Sequence, residues 1–233
     1  MDRHGTPRVA FFGGSFDPPH LGHLGVAKAA RDALRLDTVL FAPVGLQPLK
    51  SGGSSASFMD RVEMVRLAIA DEPGFAISMS DAPHADGRPN YTVDTLRRLR
   101  GELPATGDLF CLLGADSLAT FRSWHCAEEI PFVARLVVAS RPGEAIDDLA
   151  RFMPPELAVS SCDADAALSN GTAALRTWVV RNVAGASAAL YVLSGLDFPM
   201  SATGVRAALR GGARPEMVPG SVLEYIRRHG LYR

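Results

Sequence analysis

Val9-Ala10-Phe11-Phe12-Gly13-Gly14-Ser15-Phe16-Asp17-Pro18-Pro19-His20-Leu21-Gly22-His23-Leu24 is the stretch from which the fold can be read. Val9–Phe12 is an apolar run of strand length, ended by Gly13-Gly14. Beyond the turn, Leu21, Leu24, Ala27 and Leu34 recur at helical period and predict a helix over Leu21–Leu34. Glycines after a strand let backbone approach a ligand closely. The helix start that follows offers unpaired N–H groups and the positive end of a dipole to phosphate. His20 and His23 fall on one side of that start, with Gly22 leaving space above the backbone. Two imidazole donors converging there are placed to stabilise the charge of a phosphoryl transition state.

Working outward, apolar runs at Thr38–Ala42, Phe75–Met79, Leu109–Leu113, Arg135–Ala139 and Ala189–Leu193 predict further strands. Helical spacing marks Phe58–Ala70, through Met59, Val62, Val65, Leu67 and Ile69, and also Val93–Leu99. Strands alternating with helices predict an α/β fold: a doubly wound, Rossmann-like parallel sheet with helices on both faces, in a single domain over residues 1–233. Ligands of such sheets bind at the carboxyl ends of the strands, near the switch in strand order. Gly13-Gly14, Pro43 and Gly114 all fall at such ends. Ser51–Ser57 reads as a mobile loop beside Lys50. The stretch 141–188 reads as a peripheral elaboration, with one helix, a short strand at Leu157–Ser160 and a polar run over Ser160–Thr172.

A net charge of −1 gives no global reason to expect a nucleic acid or an anionic membrane as partner. No apolar run reaches the roughly 18 residues that span a bilayer, and Met1–Arg8 lacks the apolar stretch of a signal peptide. Cys111, Cys126 and Cys162 are widely spaced and form no CxxC pair, which suits a reducing cytoplasm. The expectation is a cytoplasmic protein with neither a nucleic acid nor a membrane as partner, its oligomeric state left open.

Late in the chain stands Ser201-Ala202-Thr203-Gly204-Val205-Arg206. Ser or Thr at a helix start caps orphan N–H groups, and an arginine one turn inside presents a planar fork to a polyphosphate. His20-Leu21-Gly22-His23 followed by this SxTxxR pattern resembles the nucleotidyltransferase superfamily with the (H/T)xGH signature. The intervening sequence is similar to bacterial nicotinate-nucleotide adenylyltransferases over most of the chain. The resemblance is carried by Pro43–Lys50, Phe58–Ala68 with Arg61 and Met64, Asn90–Leu96, Gly114-Ala115-Asp116-Ser117-Leu118 with Phe121 and Trp124, Ser140–Gly143, and Val218–Tyr232.

That resemblance implies transfer of an adenylyl group from ATP to nicotinic acid mononucleotide, giving deamido-NAD and pyrophosphate. It implies catalytic roles for His20, His23 and Arg206, and an ATP site made by Gly13, Gly14, Ser15, Phe16, Gly22, Ser201, Thr203 and Arg206. Lys50, Thr92, Asp116, Trp124 and His125 would hold the acceptor: Lys50 near its phosphate, Asp116 at ribose hydroxyls, Thr92 and nearby N–H groups at its carboxylate. Trp124 would stack on the pyridinium ring, where an indole face gains a cation–π contribution. Mg2+ would arrive on the ATP phosphates, no acidic cage being evident. Two positions depart from the family pattern: His125 stands where Tyr is usual, and Leu46–Lys50 reads LQPLK where PPHK is common. The alternatives are the amidated mononucleotide or another phosphate acceptor such as phosphopantetheine, and a catalytically silent nucleotide-binding paralogue.

Overall fold

The computed structural model describes residues 6–49, 53–140, 148–162, 174–196, 198 and 201–233. Lys50 and Arg141–Gly143 lie outside the described residues, as does most of the polar run after Cys162. Eight strands form one sheet: β1 (Arg8–Gly14), β2 (Thr38–Pro43), β3 (Phe75–Ile77), β4 (Asp108–Gly114), β5 (Arg135–Ala139), β6 (Leu157–Ser161), β7 (Ala174–Asn182) and β8 (Ser187–Ser194). Their order is β3-β2-β1-β4-β5-β8-β7-β6. The five pairings from β3 to β8 are parallel. The winding direction reverses between β1 and β4.

The helices are α1 (Leu21–Leu34), α2 (Phe58–Ile69), α3 (Thr92–Glu102), α4 (Ala115–Thr120), α5 (Ile130–Val133), α6 (Ala202–Arg210) and α7 (Gly220–His229). Alternation along the strands divides the core. Ala10 and Phe12 of β1, with Phe110 and Leu112 of β4, pack toward α1, α2, α6 and α7. Phe11, Leu109, Cys111 and Leu113 face α3 and α5 on the other side. Fully buried rings such as Phe11, Phe41 and Phe110 each contribute on the order of 1.5–3 kcal/mol from lost apolar hydration.

Two features differ from the sequence reading. The sheet is not wholly parallel: β7 pairs antiparallel with β8 and with β6. A four-residue connection, Val183–Ala186, can join only antiparallel neighbours, whereas a parallel crossover needs a dozen residues or more. Gly185, at φ 83°, supplies the left-handed residue of that turn. The segment between residues 141 and 188 therefore extends the sheet by two strands, and its described helical part is a 3-10 turn at Leu149–Phe152. The second difference is the buried face of α2, which consists of Arg61, Met64, Val65, Ala68 and Ile69. Met59 is 64 % exposed, and an arginine takes the place expected for an apolar residue.

Candidate functional site

The carboxyl ends of β1 and β4 open into a cleft of about 940 Å³. Every described residue proposed for the site from sequence lines it: Gly13, Gly14, Ser15, Phe16, His20, Gly22 and His23; Thr92, Asp116, Trp124 and His125; Ser201, Thr203 and Arg206. This is the switch point between β1 and β4, where the strand ends diverge and leave a crevice. Four helix N-termini border the cleft, those of α1 at His20, α3 at Tyr91-Thr92, α4 at Gly114-Ala115 and α6 at Ser201-Ala202. Their orphan N–H groups and dipoles favour anionic groups between them.

His20 is the N-cap of α1. Its ring stacks on that of His23, with centroids 3.8 Å apart. Gly22 makes this possible, because a Cβ there would meet His20 Nδ1 at 2.9 Å. The His20 backbone N–H donates to His23 Nδ1 at 3.2 Å, so the neutral His23 ring carries its proton at Nε2. His20 Nδ1 is buried and has no hydrogen-bond partner among the described residues. Burial lowers the His20 pKa to about 4 and draws that of His23 well below its usual value, the neighbouring His20 adding to the effect on His23. Both rings are neutral at pH 7.

Phe16 supports this pair. Its backbone sits at φ 48°, a strained region for a non-glycine residue. Its ring packs among Phe12, His23 and Phe41 at centroid distances of 5.5, 5.0 and 5.6 Å. At 2 % exposure Phe16 lines the cleft floor from within the core.

Arg206 donates from Nη1 to the Asp17 carbonyl at 2.8 Å and from Nη2 to Thr203 Oγ1 at 3.1 Å. Ser201 caps α6 by accepting from the Gly204 N–H at 3.2 Å. On the opposite wall, the Trp124 indole N–H donates to Thr120 Oγ1 at 3.2 Å, which fixes the ring. His125 is exposed and lies 4.4 Å from the Tyr91 ring, centroid to centroid. Asp116 lies in the first turn of α4, whose N-cap is Gly114.

Several residues that shape the cleft were not singled out as site residues from the sequence. Arg61, 2 % exposed, donates 2.8 Å hydrogen bonds to the carbonyls of Ser15 and Val44, tying the loop after β1 to the loop after β2. Asn90 accepts from the Leu46 N–H at 3.0 Å and donates to the Ala82 carbonyl at 2.9 Å. Asp81 is a buried carboxyl that accepts from Thr95 Oγ1, and burial raises its pKa. Asp17 accepts from the Ser55 and Ala56 N–H groups at 2.6 and 3.1 Å, so this described end of the loop expected to be mobile is anchored. Phe198 presses on α1 where Gly25 leaves room: a Cβ at Gly25 would lie 1.9 Å from its Cζ. For Arg61 a signal was available. It falls in step with Met64, Val65 and Ala68, a charge at an apolar position of the helix period.

Among the described residues, Cys126, Glu128 and Glu129 are the one group of potential metal ligands at suitable separation, and none of them lines the cleft. No described helix is long and apolar enough to cross a membrane.

A family model described as cytidylyltransferase-like matches residues 11–167. A Chromobacterium violaceum protein named "Probable nicotinate-nucleotide adenylyltransferase" is 39 % identical over 235 residues, covering 97 % of this chain and 99 % of its own. A Citrifermentans bemidjiense protein of the same name is 35 % identical over 226 residues, covering 97 % and 98 %. Among solved structures, the Plasmodium falciparum nicotinic acid mononucleotide adenylyltransferase complexed with NaAD superposes with a TM-score of 0.65. It is 16 % identical and covers 97 % of each chain, a likeness in fold.

Proposed function

The chain belongs to the nicotinate-nucleotide adenylyltransferase family, and from that premise we propose how its own residues carry out the reaction. The activity is transfer of the adenylyl group of ATP to nicotinic acid mononucleotide, giving deamido-NAD and pyrophosphate. The observation that carries this reading is the meeting of His20, His23 and Arg206 with Thr92 and Trp124 in one cleft bordered by four helix N-termini.

The acceptor's phosphate oxygen attacks the α-phosphorus of ATP in line, and the bond to the bridging oxygen of pyrophosphate breaks. No protein nucleophile takes part. The protein positions the two anions and stabilises the charge that builds between them. His23 Nε2–H and the His20 ring act as neutral donors, so the fixed positive character comes from helix dipoles and Arg206. Arg206 and the α6 start hold the departing pyrophosphate. Gly13, Gly14 and Ser15 line the nucleotide, with Phe16 beneath them. Lys50 approaches the acceptor phosphate, Asp116 its ribose, and Trp124 stacks on the pyridinium. His125 reaches the acceptor only together with Tyr91, against which it packs. Mg2+ enters as part of the substrate, Mg-ATP. The free, unpaired state of Cys111, Cys126 and Cys162 supports a reducing, cytoplasmic location.

The carboxylate form of the acceptor is favoured because helix α3 aims N–H groups at the acceptor pocket. A carboxylate accepts from them at both oxygens, whereas a carboxamide turns a donor toward one. The test compares kcat/KM for nicotinic acid mononucleotide and its amide at saturating Mg-ATP, read by pyrophosphate release. A clear preference for the acid is expected. Equal efficiencies or preference for the amide would overturn the acceptor assignment, and no turnover with any mononucleotide would overturn the enzymatic reading.

A further inference from the structure

Arg206 stands between two acceptors supplied by one residue. Its Nη1 bonds the Asp17 carbonyl at 2.8 Å and lies 4.0 Å from Asp17 Oδ2. The Asp17 side chain is 4 % exposed, so it needs donors from the protein. Among the described residues it has three: Ser55 N–H on Oδ2, Ala56 N–H on Oδ1, and the Tyr232 hydroxyl on Oδ1 at 2.6 Å. Tyr232 is itself 8 % exposed and stands at φ 61°, with its hydroxyl also 4.0 Å from Met64 Sδ.

We propose that Tyr232 is a positioning residue for ATP: by satisfying the Asp17 carboxylate, its hydroxyl keeps Arg206 on the Asp17 carbonyl and facing the cleft. The inference rests on the reading of Arg206 as a triphosphate ligand. Without the hydroxyl, the carboxylate loses one of its three donors inside the core. Among the described residues the nearest charged donor is then the Arg206 guanidinium. Closing the 4.0 Å gap makes a direct ion pair and draws the fork away from the nucleotide. The acceptor wall, with Thr92 and Trp124 on α3 and beyond α4, has no part in this chain of contacts.

The test is Tyr232→Phe, which keeps the ring and removes the hydroxyl. Mg-ATP affinity is measured by calorimetry without acceptor, and KM for each substrate by pyrophosphate release. Expected is an ATP affinity weaker by about tenfold, the scale of one lost hydrogen bond to a charged group, with the mononucleotide KM within about twofold of wild type. Asp17→Asn added to Tyr232→Phe should recover part of the lost ATP affinity, because no carboxylate then remains to draw Arg206 off the Asp17 carbonyl. Tyr232→Phe combined with Arg206→Lys should be less than additive, because both act on one contact. Unchanged ATP affinity in Tyr232→Phe, no recovery when Asp17→Asn is added to it, equal losses for both substrates, or full additivity with Arg206→Lys would overturn the inference. Calorimetry with ATP alone judges it even if wild-type protein transfers nothing to the mononucleotide, a result that would instead count against the proposed function.

Discussion

Replacing Arg61 by Met tests how the cleft is held open. The guanidinium is buried at 2 % exposure and makes two 2.8 Å hydrogen bonds, to the Ser15 and Val44 carbonyls. Methionine fills much of the same volume but donates nothing, so both carbonyls lose a charged donor. Hydrogen bonds from charged groups are worth about 1.5–3 kcal/mol each, which sets a gross loss of roughly 3–6 kcal/mol. Two terms offset part of it. Arg61 Nε has no partner, and burial already lowers the Arg61 pKa, so removing the charge recovers desolvation energy. A net loss of about 2–4 kcal/mol is expected, or roughly 5–15 °C in melting temperature for a chain of this size. Urea unfolding followed by far-UV circular dichroism should show a lower midpoint with an unchanged slope. Turnover below the melting point should also fall, because Ser15 and Val44 both line the cleft. A midpoint within about 0.5 kcal/mol of wild type would refute the reasoning, since the two carbonyls would then be satisfied without Arg61.

Three further outcomes follow from the same geometry. The His20 pKa is lowered to about 4 from 6.5, so the unfolded state binds the extra proton first, and its stability contribution is complete above pH 6.5 and lost as pH falls toward 4. His20→Gln should therefore flatten the decline of stability between pH 6.5 and 4.5 measured by denaturant titration, and an unchanged slope would count against a buried neutral ring. His23→Ala should lower kcat by about 10²-fold or more while the protein stays folded, since its Nε2–H is aimed at developing charge. Wild-type turnover in that variant would remove His23 from the mechanism. Gly25→Ala places a methyl where Phe198 lies, so the ring must move. A loss of about 1–3 kcal/mol is expected, with a higher KM for ATP, and normal values for both would show that the Phe198 seat is dispensable.

The sequence made the parallel part of the fold legible because each strand there ends in a turn signal and each helix shows an apolar period. Val9–Phe12, Leu21–Leu34 and Leu109–Leu113 were placed within a few residues of their observed limits. Strand β7 was missed: Arg176, Trp178 and Arg181 interrupt any simple alternation, and the strand takes its place from its partners rather than from its own pattern. In the site, local motifs were readable because His20 and His23 act through neighbouring backbone. Asp17 and Tyr232, and the structural role of Arg61, were not assigned to the site, since their partners are brought to them by packing rather than by a local motif.

That remoteness has a consequence for the life of the folded protein. The contacts that complete the cleft, Arg206 with Asp17 and Tyr232 with Asp17, close chain separations of 189 and 215 residues. They hold the segment carrying α6 and α7 to a sheet core whose contacts on the far face do not involve it. Such a docked segment can open locally at a lower free energy than the whole domain requires. Competence to bind ATP should then fade before the sheet melts, and refolding chains should regain sheet structure before they regain activity. An activity assay along a denaturant series would read the undocking of the second motif rather than the unfolding of the molecule.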